Sequence, residues 1–148
     1  MHMIRSILFC ILFFSFSFTR AQEVRINHIA LHVHDLAKSS YFYTVTIGLD
    51  TIPEPFHDGR HTWLSIGPKS HLHLIAGAGP AIERDKNTHL CFSVTSVEDF
   101  AKRLKSAGIP FEDVQGNAGR ILTRVDGVKQ IYFRDPDGYW LEINDAKE

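Results

Sequence analysis

Ile26-Asn27-His28-Ile29-Ala30-Leu31-His32-Val33-His34-Asp35 decides how the rest of the chain is read. Ile29, Leu31 and Val33 alternate with a set that includes His28, His32 and His34. Strand side chains point to opposite faces with period two, so one face packs on a core and the other carries imidazoles. A purely structural strand has little use for three of them. Eight of the nine histidines fall between His28 and His89, whereas the segment from Asn117 to Glu148 has none. That segment instead places Glu142 inside an apolar strand.

The same pattern restarts downstream. Thr88-His89-Leu90-Cys91-Phe92-Ser93-Val94 matches Asn27-His28-Ile29-Ala30-Leu31-His32-Val33 in character. Ala107-Gly108-Ile109 echoes Ile47-Gly48-Leu49, so two anchors recur at offsets of 61 and 60 residues. Nearly equal offsets at two anchors point to a duplicated unit. After the first strand (about 24–34), Asp35 is a helix N-cap and Gly48 a C-cap. Short strands follow at 49–52, 61–66 and 71–76, with Gly67-Pro68 as a turn. Residues 77–87 form a linker. In the second copy, Ser96-Val97-Glu98-Asp99 opens a helix as a capping box, and Val97, Phe100, Ala101 and Leu104 make one apolar stripe. Strands are expected at 111–114, 121–125, 129–134 and 139–144, with hairpin and turn sequences at Asp126-Gly127 and Asp135-Pro136-Asp137-Gly138. The predicted fold is α+β: two paired βαβββ modules, about 24–76 and 88–146, forming a cupped, mostly antiparallel sheet.

The N-terminal stretch stands apart. Met1–Arg5 is basic, Ser6–Phe18 is uncharged and apolar apart from serines, and Thr19-Arg20-Ala21 offers small residues for cleavage. This is the pattern of a secretory signal over residues 1–21. Its apolar run is short for a ~20-residue span, which argues against an uncleaved anchor. The expected mature chain, 22–148, is one domain of 127 residues, secreted or periplasmic, with no membrane association after cleavage. It carries 14 basic and 17 acidic residues, which excludes a nucleic-acid surface. Cys91 is its single cysteine, so no internal disulfide forms.

Alternation on four strands sends His28, His71 and His73, His89, and Glu142 to the face opposite the core. Paired modules would bring these groups onto one concave surface. Three imidazoles and a carboxylate make a mixed N/O site for one divalent metal ion, Zn, Ni, Fe or Mn, with positions left open for Lewis-acid chemistry. The predicted ligands are His28, His73, His89 and Glu142, with His71 the rival for the His73 slot. His57 and His61 read as surface residues, and His34 as an exposed strand end. Glu142 is a candidate catalytic base, and His32, on the His28 face, a substrate contact or second acid/base.

The stretch from Asn27 to Leu36, with Tyr41-Phe42-Tyr43 and Ile47-Gly48-Leu49, resembles the opening of a vicinal oxygen chelate protein. That superfamily includes glyoxalase I, fosfomycin-resistance thiol transferases and extradiol dioxygenases. Tyr132-Phe133-Arg134-Asp135-Pro136-Asp137-Gly138-Tyr139-Trp140-Leu141-Glu142-Ile143 resembles its closing signature. The resemblance implies His28, His89 and Glu142 as metal ligands, a small-molecule substrate, and a homodimer with a module from each subunit completing each site. In glyoxalase I a glutamate occupies the place of His73. The leading expectation is a metal-dependent lyase or isomerase acting on vicinal oxygens through a metal-stabilised enediolate. Alternatives are a fosfomycin-type thiol transferase or epoxide-opening enzyme, with Arg120, Arg124, Lys129 and Arg134 as cationic groups, and an extradiol dioxygenase, usually about twice this length. A third is a non-catalytic drug-binding protein with Trp63, Tyr132 and Trp140 lining a groove.

Overall fold

The computed structural model describes residues 23–147. The expected signal peptide lies outside them. Strand β1 (His28–Val33) leads into helix α1 (Leu36–Tyr41), then β2 (Thr51–Ile52), β3 (His61–Gly67) and β4 (Ser70–Ala76). The second module repeats this order with β5 (His89–Ser93), α2 (Val97–Ser106), β6 (Leu122–Thr123), β7 (Lys129–Arg134) and β8 (Trp140–Asn144). The strands make two four-stranded sheets, β1-β4-β3-β2 and β5-β8-β7-β6. In each, the first strand runs parallel to the last and the other pairings are antiparallel. The two βαβββ modules expected from the repeat are therefore present.

The register makes the duplication exact in space. Ala30 lies opposite His73, and Cys91 lies opposite Glu142. Trp63 is the other neighbour of His73, as Tyr132 is of Glu142. His28 faces His71, as His89 faces Trp140. Each position on one outer face has a counterpart on the other.

One apolar core joins the modules through Leu31, Val33, Leu72 and Leu74 from the first and Ile131, Phe133, Leu141 and Ile143 from the second. Phe42, Tyr43, Phe100 and Leu104 fill the space between. Removing such side chains from water is the main stabilising term. The seam is also pinned by polar groups. Tyr43 Oη donates to Asp135 Oδ2 at 2.8 Å, and Ser39 Oγ and the His34 amide donate to Asp137, each at 2.6 Å. Both aspartates belong to the turn before β8. Burial pushes the Asp135 carboxyl above its ordinary range, more than its hydrogen bonds pull it down.

Two details differ from the expected elements. The first helix is α-helical only to Tyr41 and continues as a π-helical turn over Phe42–Ile47, ending at Gly48 with φ 93°. The Gly48 amide reaches back to Tyr43 O, and the wider turn buries Phe42, Tyr43 and Thr46 together. Residues 111–114 form no strand. Pro110 offers no amide hydrogen, and buried Asp113 accepts from the Asn117 amide at 2.9 Å and from its side chain at 2.8 Å. Only a Glu112 bridge to Tyr132 and Ala118 remains. His34 is exposed at the strand end, as expected, and caps the linker through Nδ1 and Ala78 O at 3.0 Å.

Candidate active site

The second sheet carries a half-site on its outer face. Glu142 is buried at 5% exposure, and each of its oxygens has a donor. Tyr132 Oη donates to Oε2 at 2.5 Å, and Asn144 Nδ2 donates to Oε1 at 2.9 Å. Burial opposes the charge, but the Tyr132 and Asn144 hydrogen bonds outweigh it and hold the carboxyl below its ordinary range. Burial and the same carboxylate push the Tyr132 phenol up.

His89 completes the pair. Its Nδ1 lies 2.8 Å from Lys86 O, a group that only accepts, so Nδ1 carries the proton. Nε2 then faces Glu142 Oε2 at 3.2 Å. In the neutral ring this sets two lone pairs against each other. Either a second ring proton or a shared cation resolves the clash. A protonated Nδ1 fixed by a carbonyl is also the arrangement that orients a metal-binding imidazole.

The first sheet carries the complementary half. His28 Nδ1 lies 2.9 Å from Asn27 Oδ1, which again leaves Nε2 for a ligand. The His73 ring is sandwiched. Trp63 stacks on one side at 4.0 Å and 4°, and His28 on the other at 4.4 Å and 7°. A metal lies near the plane of each imidazole that binds it. Planes this nearly parallel do not meet at one ion, so His28 and His73 share a cation only if one ring turns. His73 Nε2 and Trp63 Nε1 are buried with no hydrogen-bond partner among the described residues. Burial first, and then the His28, His71 and His61 imidazoles, push the His73 pKa down. His71 sits beside the stack, 6.1 Å from His73.

The structure thus brings His28 to His73 and His89 to Glu142. Within one chain it does not gather the two pairs into one group with ligand atoms inside 4.8 Å. His32 lines a different, smaller cleft with Ala78, Arg84 and Asp137. The donor set of the two halves, two oriented imidazoles and a pre-aligned carboxylate, fits a divalent cation.

Among the described residues, Glu54, Asp58 and His61 form a candidate metal group within a single chain. Asp58 Oδ1 accepts from His61 Nδ1 at 2.8 Å and from the Arg60 amide at 2.9 Å. Glu54 accepts from the Phe56 and His57 amides at 2.8 and 2.7 Å. These bonds shape the loop before β3. They also carry His61 into a cleft of about 570 Å³ shared with His28, Phe56, Trp63 and His73. The sequence reading took His61 for a surface residue. The pattern that places it is alternation along β3, which puts His61 and Trp63 on the face of His71 and His73.

Comparison with known proteins agrees with this geometry. The chain is 25% identical over 169 residues to a lactoylglutathione lyase of Schizosaccharomyces pombe, covering 89% of this chain and 51% of that enzyme. It therefore spans about half the length of that relative. It is 29% identical to the metallothiol transferase FosB of Shouchella clausii, over 80% of this chain and 78% of that one. Among solved structures, oxidase ChaP-H1 superposes with a TM-score of 0.68 at 28% identity, over 84% of this chain and 98% of that chain. The members of this group are typically metal-dependent and act on small molecules. The profile of one superfamily matches residues 25–143, and with both modules, their register and their outer faces in place, the chain belongs to the Glyoxalase/Bleomycin resistance protein/Dioxygenase superfamily.

Proposed function

We propose that the protein is a divalent-metal-dependent lyase or isomerase of the glyoxalase type, with its site completed between two subunits. His28 of one subunit would meet His89 and Glu142 of the partner subunit around one cation. The observation that carries this reading is the facing pair His89 Nε2 and Glu142 Oε2, two donor atoms held 3.2 Å apart and each oriented by a hydrogen bond. The outer edges of β1 and β5 pair with no strand among the described residues, so both half-sites border open edges.

A cation bound there supplies Lewis-acid polarisation of two adjacent substrate oxygens. Glu142 would take the proton from the hydroxyl-bearing carbon and return it to the adjacent carbonyl carbon, while the hydroxyl proton passes to the former carbonyl oxygen. Tyr132 and Asn144 aim the carboxylate during both transfers. The same reading includes export of the chain through cleavage after Ala21, which places the substrate outside the cytosol.

The test is metal analysis and light scattering on protein purified without chelators, followed by assay with hemithioacetals. A dimer holding one ion per site and isomerising the hemithioacetal is expected. A metal-loaded dimer that leaves hemithioacetals and other α-hydroxy carbonyls untouched overturns the reading.

One observation favours a second reading, metal-assisted thiol addition to an epoxide. Lys86 Nζ and the Arg134 guanidinium lie 4.8 and 4.5 Å from the Trp140 ring, on the face that carries Glu142. Both cations already pair with carboxylates, Lys86 with Glu112 and Arg134 with Glu83, and a phosphonate on this face would have to take them from those partners. Mass spectrometry of fosfomycin incubated with protein and thiol separates the readings, since only the second gives an adduct.

A further inference from the structure

We propose that the substrate is an aryl compound whose ring seats in the first-module cleft against Trp63 and Phe56. This deepens the proposed function and rests on His28 being a metal ligand.

The cleft of about 570 Å³ is lined by His28 itself, so it adjoins the proposed metal ligand. Its volume is in the range of small-molecule sites, roughly 300–1,000 Å³. Its lining contains no lysine, arginine, aspartate or glutamate. A substrate arm bearing carboxylates or an ammonium, such as a thiol tripeptide, finds no ionic partner on this wall. Burying such charges here without partners is costly.

What the wall offers instead is flat rings, Trp63 and Phe56 among the His28, His61, His71 and His73 imidazoles. Trp63 and His73 are stacked, and Phe56 meets Trp63 edge-on at 6.0 Å and 79°. The Phe56 ring is 59% exposed at the mouth, held there by the Glu54 hydrogen bond to its own amide. An exposed aromatic on an anchored loop gains its burial when a ligand enters. Aromatic rings prefer offset or edge contacts of this geometry, each worth something beyond area alone. Ile75 closes the far side. The counterpart face of the second module is hydrogen-bonded and charged at the equivalent positions, so the aryl recognition belongs to the first module alone.

The experiment uses the metal-loaded full-length protein and two probes, acetohydroxamate and benzohydroxamate. Both chelate through adjacent oxygens and differ only in methyl against phenyl. Dissociation constants are measured by calorimetry, with tryptophan fluorescence as a second readout. Benzohydroxamate is expected to bind at least tenfold more tightly. Phe56→Ala should cut that ratio at least threefold while leaving acetohydroxamate unchanged, and Trp63→Ala, which also unstacks His73 beside His28, should cut the ratio at least as far. Phe56 is exposed, so its variant keeps the test sound if Trp63→Ala does not fold. Equal affinities for the two probes, or a ratio untouched by the variants, overturns the aryl assignment and leaves the metal reading standing. Failure of both probes to bind overturns the two together.

Discussion

The outer faces of the two sheets share one backbone register yet are finished in opposite ways. On the second, the trio Tyr132, Glu142 and His89 is hydrogen-bonded, and each carboxylate oxygen has a donor. On the first, the equivalent trio Trp63, His73 and His28 is stacked ring on ring, and two of its nitrogens have no partner among the described residues. A hydrogen-bonded carboxylate fixes charge at a point, whereas a stack fixes a surface. On the proposed reading the second face gives the cation a carboxylate and one imidazole, and the first face gives it His28 beside a stacked wall. The difference is sharpest at one matched pair, Glu142 and His73. Glu142→Gln keeps the shape but removes the charge and the base, and should lower kcat/KM by roughly 10²–10⁴-fold with loss of bound metal. His73→Phe preserves a ring in the Trp63 stack and should retain metal at the wild-type stoichiometry. Elemental analysis of both variants decides the comparison. Equal metal loss in the two would make the faces functionally alike and return His73 to the ligand set.

The next position out refines the same contrast. Tyr132→Phe leaves an aromatic ring of the same size but strips the donor from Glu142 Oε2. Partners of this kind are worth roughly 10–100-fold in metal affinity. Competition with a chromophoric chelator should show a loss in that range with the fold unchanged. No change in affinity would mean that Asn144 alone aligns the carboxylate.

Much of this arrangement could be read along the chain. His28 with His89, and Gly48 with Gly108, exposed the duplication, because each anchor does a job that few residues can. The β7 strand was read at its true bounds, Lys129–Arg134, since the Asp126-Gly127 turn before it and the Asp135-Pro136 turn after it leave no other limits. Residues 111–114 were misread because β-propensity at Phe111 and Val114 competes with tertiary hydrogen bonding at Asp113, and the latter won. His61 was missed because its place depends on the β3–β4 pairing, including the register shift between Ser65 and Gly67. The orientation of the His73 ring was not legible at all. Alternation gives the face on which a side chain stands, but the Trp63 ring beside it sets how the imidazole turns.

The smallest effect concerns Cys91, the position that matches Ala30 in the repeat. The thiol is on an edge strand and exposed, which by itself suggests ready alkylation. Its surroundings argue the reverse. Partial burial of Sγ and the neighbouring Glu142 carboxylate push its pKa up to about 12, even with Asn144 Nδ2 donating to the sulfur at 3.1 Å. An ordinary thiol titrates near 8.5, and only the thiolate reacts. The sign is therefore fixed: between about pH 8 and 11 the folded, metal-free protein should hold less thiolate than its urea-unfolded form. Iodoacetamide labelling at pH 8, followed by mass spectrometry, should run more than about tenfold slower in the folded state. Glu142→Gln removes the negative charge that opposes ionisation, so it should speed labelling of the folded protein, and an Ala30→Cys thiol, with no carboxylate opposite it in β4, should label faster than Cys91. Equal rates at the two matched positions would show that the carboxylate field of the second face does not reach its own edge strand.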